Sequence, residues 1–182
     1  MNLFMVLLGC TPEGRYTEQH DIFFGIAEEL KDLIDDFNEF WPEAKGKLHI
    51  DVWRKVEYVD GYKVSIQPKT GGTKEKQLFF LNLGGYKPGD FEEYHYKTLC
   101  LGTTQAEAIK KAKKTSFYKH CGFEGANSHI DDKYGIDVDD VYNVEDILAP
   151  KFKTQFELTF TVDENCKEDN FNIGYLKLST LK

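Results

Sequence analysis

The sequence predicts an α+β fold: two tandem ββαββ repeats packed as one two-layer body with pseudo-twofold symmetry, plus a C-terminal β-hairpin. Three observations predict it. Leu3-Phe-Met-Val-Leu-Leu-Gly9 recurs as Leu78-Phe-Phe-Leu-Asn-Leu-Gly84, at an offset of 75 residues. Glu18 and His20 meet Glu93 and His95 at the same offset, and His49-Ile50-Asp51 meets His129-Ile130-Asp131 at an offset of 80. Four of the five histidines therefore fall at matched positions, which chance does not readily produce. The period exceeds the roughly 20–50 residues of solenoid arrays, so a duplicated domain half is expected.

Within the first unit, Leu3–Leu8 is a short apolar run closed by glycine and reads as a buried strand. Residues 9–17 carry Gly, Pro and Gly and form a loop, and residues 20–26 read as a second strand. From 27 to 41 the period becomes helical: Leu30, Leu33, Ile34, Phe37 and Trp41 share one face, and Pro42 stops the run. Asp60-Gly61 between two β-prone runs is a hairpin signal. In the second unit Thr104 and Glu107 form a capping box that starts the helix. Asp60, Tyr62 and Val64 are matched with Asp140, Tyr142 and Val144. The expected organisation is a first repeat at 1–66, a polar linker at 67–76, a second repeat at 77–149 and a C-terminal hairpin at 150–182. A half of this size with one helix buries little apolar area, so the halves are expected to fold as one body.

Composition narrows the function classes. The 182 residues are 41% hydrophobic and 14% aromatic, enough for a core. A net charge of −8 argues against nucleic-acid binding and against anionic membrane surfaces. Cys10, Cys100, Cys121 and Cys166 show no metal-finger spacing and read as reduced thiols of a cytoplasmic protein. Leu7-Leu8-Gly9-Cys10 looks like a lipoprotein box, but no positive charge precedes it and the same segment recurs mid-chain, so strand is the expected reading.

Leu48-His-Ile-Asp51, Tyr58-Val-Asp-Gly-Tyr62 and Leu81-Asn-Leu-Gly-Gly-Tyr-Lys-Pro-Gly89 resemble the bacterial domain-of-unknown-function family numbered 1543. Glu18-x-His20 and the stretch Ala106–Lys113 fit it as well. The resemblance spans about residues 3–148 and implies bacterial origin and cytoplasmic location. It implies no activity, cofactor or catalytic residue.

The chemistry-bearing candidates are Glu18, His20, His49 and Asp51, with their expected copies Glu93, His95, His129 and Asp131. In an extended chain residues i and i+2 point to one side, so each doublet presents an imidazole with a carboxylate. Four converging N/O ligands suit zinc, manganese or non-haem iron, and a metal-free His–carboxylate pair suits acid–base work. The competing reading is structural, with carboxylates holding histidines that satisfy loop amides. Gly9–Gly14 and Gly84–Gly89 follow strands and offer anion cradles, yet no helix opens after them, and tight turns explain them equally. Residues 28–41 carry six acids against one lysine, and residues 104–119 carry five lysines against one acid. That asymmetry allows complementary helices between halves or in a homo-oligomer, or simply two solvated faces. The Asp131–Asp140 acid cluster lacks the glycine of a calcium loop and reads as solvated surface. Two functions are carried forward: a small non-catalytic binding or interaction module, and a metal- or histidine-dependent enzyme built on the doublets. Cofactor and ligand identity are not legible.

Overall fold

The computed structural model describes residues 1–86, 89, 91–120 and 137–181. It is a mixed α+β protein in which every strand pairing among the described residues is antiparallel. The chain forms two compact units: Met1–Thr70 with Leu148–Lys182, and Gly71–Ile147.

In the first unit β1 (Asn2–Cys10) is the apolar run read from the sequence, extended to include Gly9 and Cys10. A loop containing left-handed Gly14 returns the chain as β2 (Gln19–Ala27). The amphipathic stretch then folds as a 3-10 turn, Leu30–Leu33, leading into α1 (Ile34–Phe40). Glu29 and Asp32 cap it reciprocally, satisfying amide groups that open the helix. Leu30, Leu33 and Phe37 are buried, and Phe23 packs edge-on against Phe37 at 4.9 Å. Each such side chain contributes roughly 1.5–3 kcal/mol by leaving water. β3 (His49–Lys55) follows, and then β4 (Tyr58–Val59) and β5 (Tyr62–Pro68). Asp60 and Gly61 both have positive φ, 52° and 82°, as a type I′ turn demands.

The second unit opens with β6 (Gln77–Tyr86) and β7 (Glu93–Gly102). α2 (Gln105–His120) follows. Its start is capped by Thr104, whose hydroxyl accepts from the Glu107 amide at 3.3 Å, and the Glu107 carboxylate in turn accepts from the Thr103 amide and hydroxyl. Ala108 and Ala112 lie flush against Phe79, Leu81, Leu83 and Cys100. β8 (Asp137–Asn143) pairs with β6, and α3 (Val144–Ile147) closes the unit.

Three expectations are corrected. Among the described residues the second unit shows no counterpart of the β4–β5 hairpin: Asp140 and Tyr142 lie in β8, paired with Asn82 and Phe80, and Val144 opens α3. By ladder register the third strands are offset by 88 residues (137 − 49), Asp137 standing where His49 stands, and not by the expected 80. The terminal segment, finally, is not a hairpin. After α4 (Pro150–Gln155), β9 (Phe156–Val162) pairs with β5, while β10 (Asn172–Lys177) pairs with β3. The two strands thus extend two different sheets, β4-β5-β9 and β10-β3-β1-β2. Asp169 explains the placement: its buried carboxylate accepts from the Glu57 and Tyr58 amides and faces Arg54, pinning the chain before β10 beside β3.

Among the described residues no helix is long and apolar enough to cross a membrane.

Candidate metal centre

Gly9 is the centre of the first unit's polar cluster. It pairs with His20 of β2 on one side and with His49 of β3 on the other. Paired residues of an antiparallel ladder share a face, so both imidazoles stand over a residue that has no side chain. This face is opposite to the one carrying Phe4, Val6 and Phe23, against which α1 packs. Glu18, two residues before His20, joins the same side. Asp51 reaches it through a bulge: Leu7 pairs with Val52 and Leu8 with Ile50, leaving Asp51 as the extra residue of β3.

The four side chains meet. His49 Nε2 lies 3.0 Å from Glu18 Oε1 and 3.4 Å from Asp51 Oδ1. His20 Nε2 lies 3.1 Å from Asp51 Oδ2 and 3.6 Å from Glu18 Oε2. Nevertheless His49 Nε2 and Asp51 Oδ2 are buried atoms without a hydrogen-bond partner. Close approach without hydrogen-bond geometry is what ligands of a common ion show. For metal–ligand bonds of about 2.0–2.2 Å the edge of a tetrahedron is about 3.3–3.6 Å, close to these separations. A Cβ on Gly9 would lie 2.5 Å from His49 Nε2 and 2.6 Å from Asp51 Oδ2, so the glycine is a steric condition of the cluster. The Tyr175 ring of β10 stacks on His49 at 4.4 Å, leaving the His49 side chain 7% exposed, whereas His20 and Glu18 are near 40%. Cys10 points to the other face and takes no part; burial pushes its thiol up, and the Glu18 carboxylate adds to the effect.

The second unit repeats much of this arrangement. Gly84 pairs with His95 and with Asp137, and the bulge falls between Asn82 and Leu83, the positions matching Leu7 and Leu8. The bulged residue is Asp139. His95 Nε2 lies 3.3 Å from Asp139 Oδ2 and 3.9 Å from Glu93 Oε2. A Cβ on Gly84 would lie 2.5 Å from Asp139 Oδ2. By ladder register, then, Asp137 and Asp139 stand where His49 and Asp51 stand in the first unit. The expected copies His129 and Asp131 lie outside the described residues.

Residues 15–66 match the family model described as Domain of Unknown Function (DUF1543). Glu18, His20, His49 and Asp51 all fall inside the DUF1543 match, while Gly9 and Tyr175 fall outside it. A protein Il1583 from Idiomarina loihiensis, known from its crystal structure, is similar over 97% of this chain and 97% of its own, with a TM-score of 0.67 and 22% identity. That likeness shows the fold alone. No curated protein matches the chain.

Sequence reasoning found Glu18, His20, His49, Asp51, Glu93 and His95. It missed Asp139, assigning the acids around it to solvated surface, and it missed Tyr175. It also placed Gly9 and Gly84 in glycine-rich loops after the strands, whereas both lie within strands under the side-chain clusters. The strand at 137–143 overlaps that acid cluster, and Asp139 lies in both.

Proposed function

We propose that this chain is a divalent-metal-binding module whose first site is formed by Glu18, His20, His49 and Asp51. The observation that carries the proposal is the close meeting of two imidazole nitrogens and two carboxylates over Gly9, with His49 Nε2 and Asp51 Oδ2 left without hydrogen bonds. Two nitrogen and two oxygen ligands suit zinc, with manganese and ferrous iron as competitors. Four protein ligands complete a tetrahedral shell, which favours holding a metal over activating a water on it. A binding module is therefore preferred to a histidine-dependent enzyme.

The proposal extends to the origin of the chain. A ββαβ core with a central glycine, a bulge in the third strand and a Glu-x-His doublet has been duplicated. Matching bulges at Leu7/Leu8 and Asn82/Leu83 support this reading. A cytoplasmic location fits Cys10 and Cys166, which form no disulfide among the described residues.

The test is metal content of the full chain, purified without chelator or histidine tag, by mass spectrometry, followed by zinc titration. The first site is expected to hold one tightly bound ion that is lost in His49→Ala and in His20→Ala. Retention of that ion in both variants, or a wild-type protein that takes up no zinc, manganese or iron, overturns the proposal.

A further inference from the structure

We infer that the second unit carries a second divalent-metal site, formed by Glu93, His95 and Asp139, with an open coordination position that the first site lacks. It rests on the metal reading of the first site. The three side chains can each offer one ligand atom such that all lie within 4.8 Å of one another. His95 and Asp139 occupy around Gly84 the ladder positions that His20 and Asp51 occupy around Gly9, and Glu93 precedes His95 by two residues as Glu18 precedes His20. Gly84 adds a separate observation. The Asp139 carboxylate lies over its Cα, with both oxygens and the carboxyl carbon within 2.9 Å of where a Cβ would be. Any other residue would displace the carboxylate from His95, so the backbone is shaped to bring Asp139 in.

The two sites differ chemically in two ways. The first has two imidazoles, and the second has one imidazole with two carboxylates among the three. Oxygen-rich sets shift preference from zinc toward harder ions such as manganese. Access differs as well. β10 adds an outer strand beside β3 and sets Tyr175 over His49, whereas β8 is the outer strand of its sheet among the described residues. Glu93, His95 and Asp139 side chains are 38%, 39% and 30% exposed. Among the described side chains, three ligands with solvent access leave room for water or a small anion such as a carboxylate or phosphate, the arrangement of exchangeable and catalytic metal sites. One chain would then hold one closed and one open ion.

The experiment titrates the full chain with zinc, manganese and cobalt, comparing wild type, His49→Ala, His95→Ala, Asp139→Asn and His49→Ala/His95→Ala. Thermal unfolding without metal checks that each variant folds. Two equivalents are expected for wild type. The weaker, more manganese-tolerant one should be lost in His95→Ala and Asp139→Asn and kept in His49→Ala. Added phosphate or acetate should perturb the cobalt absorption of His49→Ala and leave that of His95→Ala unchanged. A wild type holding one ion, lost in His49→Ala and unaffected by His95→Ala, overturns the second site while the first stands. Loss confined to His95→Ala and Asp139→Asn upholds the second site and removes the first. No binding by any folded form overturns both.

Discussion

A side-chain carbon on Gly9 would lie 2.5 Å from His49 Nε2, inside any permitted contact. The glycine is therefore required by the cluster above it and not by a turn, since Gly9 sits in regular strand pairing with both neighbours. Gly9→Ala is expected to push His49 and Asp51 apart and to cost about 1–3 kcal/mol, the range for overpacking a filled site. Chemical denaturation of the metal-free variant reads the stability loss, and zinc titration should show the first site gone. An alanine variant that keeps both wild-type stability and zinc uptake would count against the cluster as described.

Much of the first unit was legible because its signals are local. The apolar run at β1, the 3.6-residue period of Leu30, Leu33 and Phe37, and the Asp60-Gly61 turn each encode structure within a few residues. Glu18-x-His20 and His49-x-Asp51 were legible through period two. What failed was pairing over distance. The alternating patterns at β9 and β10 are real strands, but alternation does not say which edge a strand joins, and nearness in sequence suggested a hairpin. In the second unit a His-x-Asp motif matched by residue type was taken for the third strand, while the ladder selects Asp137–Asn143. Asp139 escaped because its doublet partner in the ladder, Asp137, is not a histidine, so a match by residue type passes over it.

Tyr175 tests whether the terminal strand guards the first site. Its ring lies 4.4 Å from that of His49, tilted by 33°. Tyr175→Ala should cost about 0.5–1.5 kcal/mol from the lost ring contact and speed zinc release to a chelator. Tyr175→Phe keeps the ring and should behave as wild type. Stopped-flow release rates that are equal for the alanine and phenylalanine variants would show that the ring does not shield the site.

Glu107 gives a pH dependence whose sign follows from its partners. The Thr103 amide, then its hydroxyl, then Lys111 hold the carboxyl down to about 2 from an ordinary 4.5. A depressed carboxyl stabilises the fold above its unfolded value, and that contribution disappears as pH falls through the folded value. The melting temperature of wild type should therefore exceed that of Glu107→Gln at pH 6, with the gap closing between about pH 4.5 and 2. Since the carboxylate is exposed, the gap should be small and should shrink in high salt. A gap independent of pH would assign the loss to helix propensity and not to charge.

The terminal segment is tied to the first unit by a charge pair that can be broken. Lys151, in α4, places Nζ 2.5 Å from Oδ1 of Asp36, in α1. The Asp36 side chain is 3% exposed, and Oδ1 makes no hydrogen bond. Removing a partner from a buried pair leaves an uncompensated charge, at a cost of about 3–5 kcal/mol when both ends are buried. Lys151 is 52% exposed, so water replaces part of what it supplies. Lys151→Met should accordingly lose about 1–3 kcal/mol, less than a fully buried pair. Adding Asp36→Asn removes the stranded charge, and the double variant should be more stable than Lys151→Met alone. A double-mutant cycle by chemical denaturation measures the coupling directly. Strictly additive effects would mean that α4 is held in place within the first unit by Phe152 and the β5–β9 ladder without help from this pair.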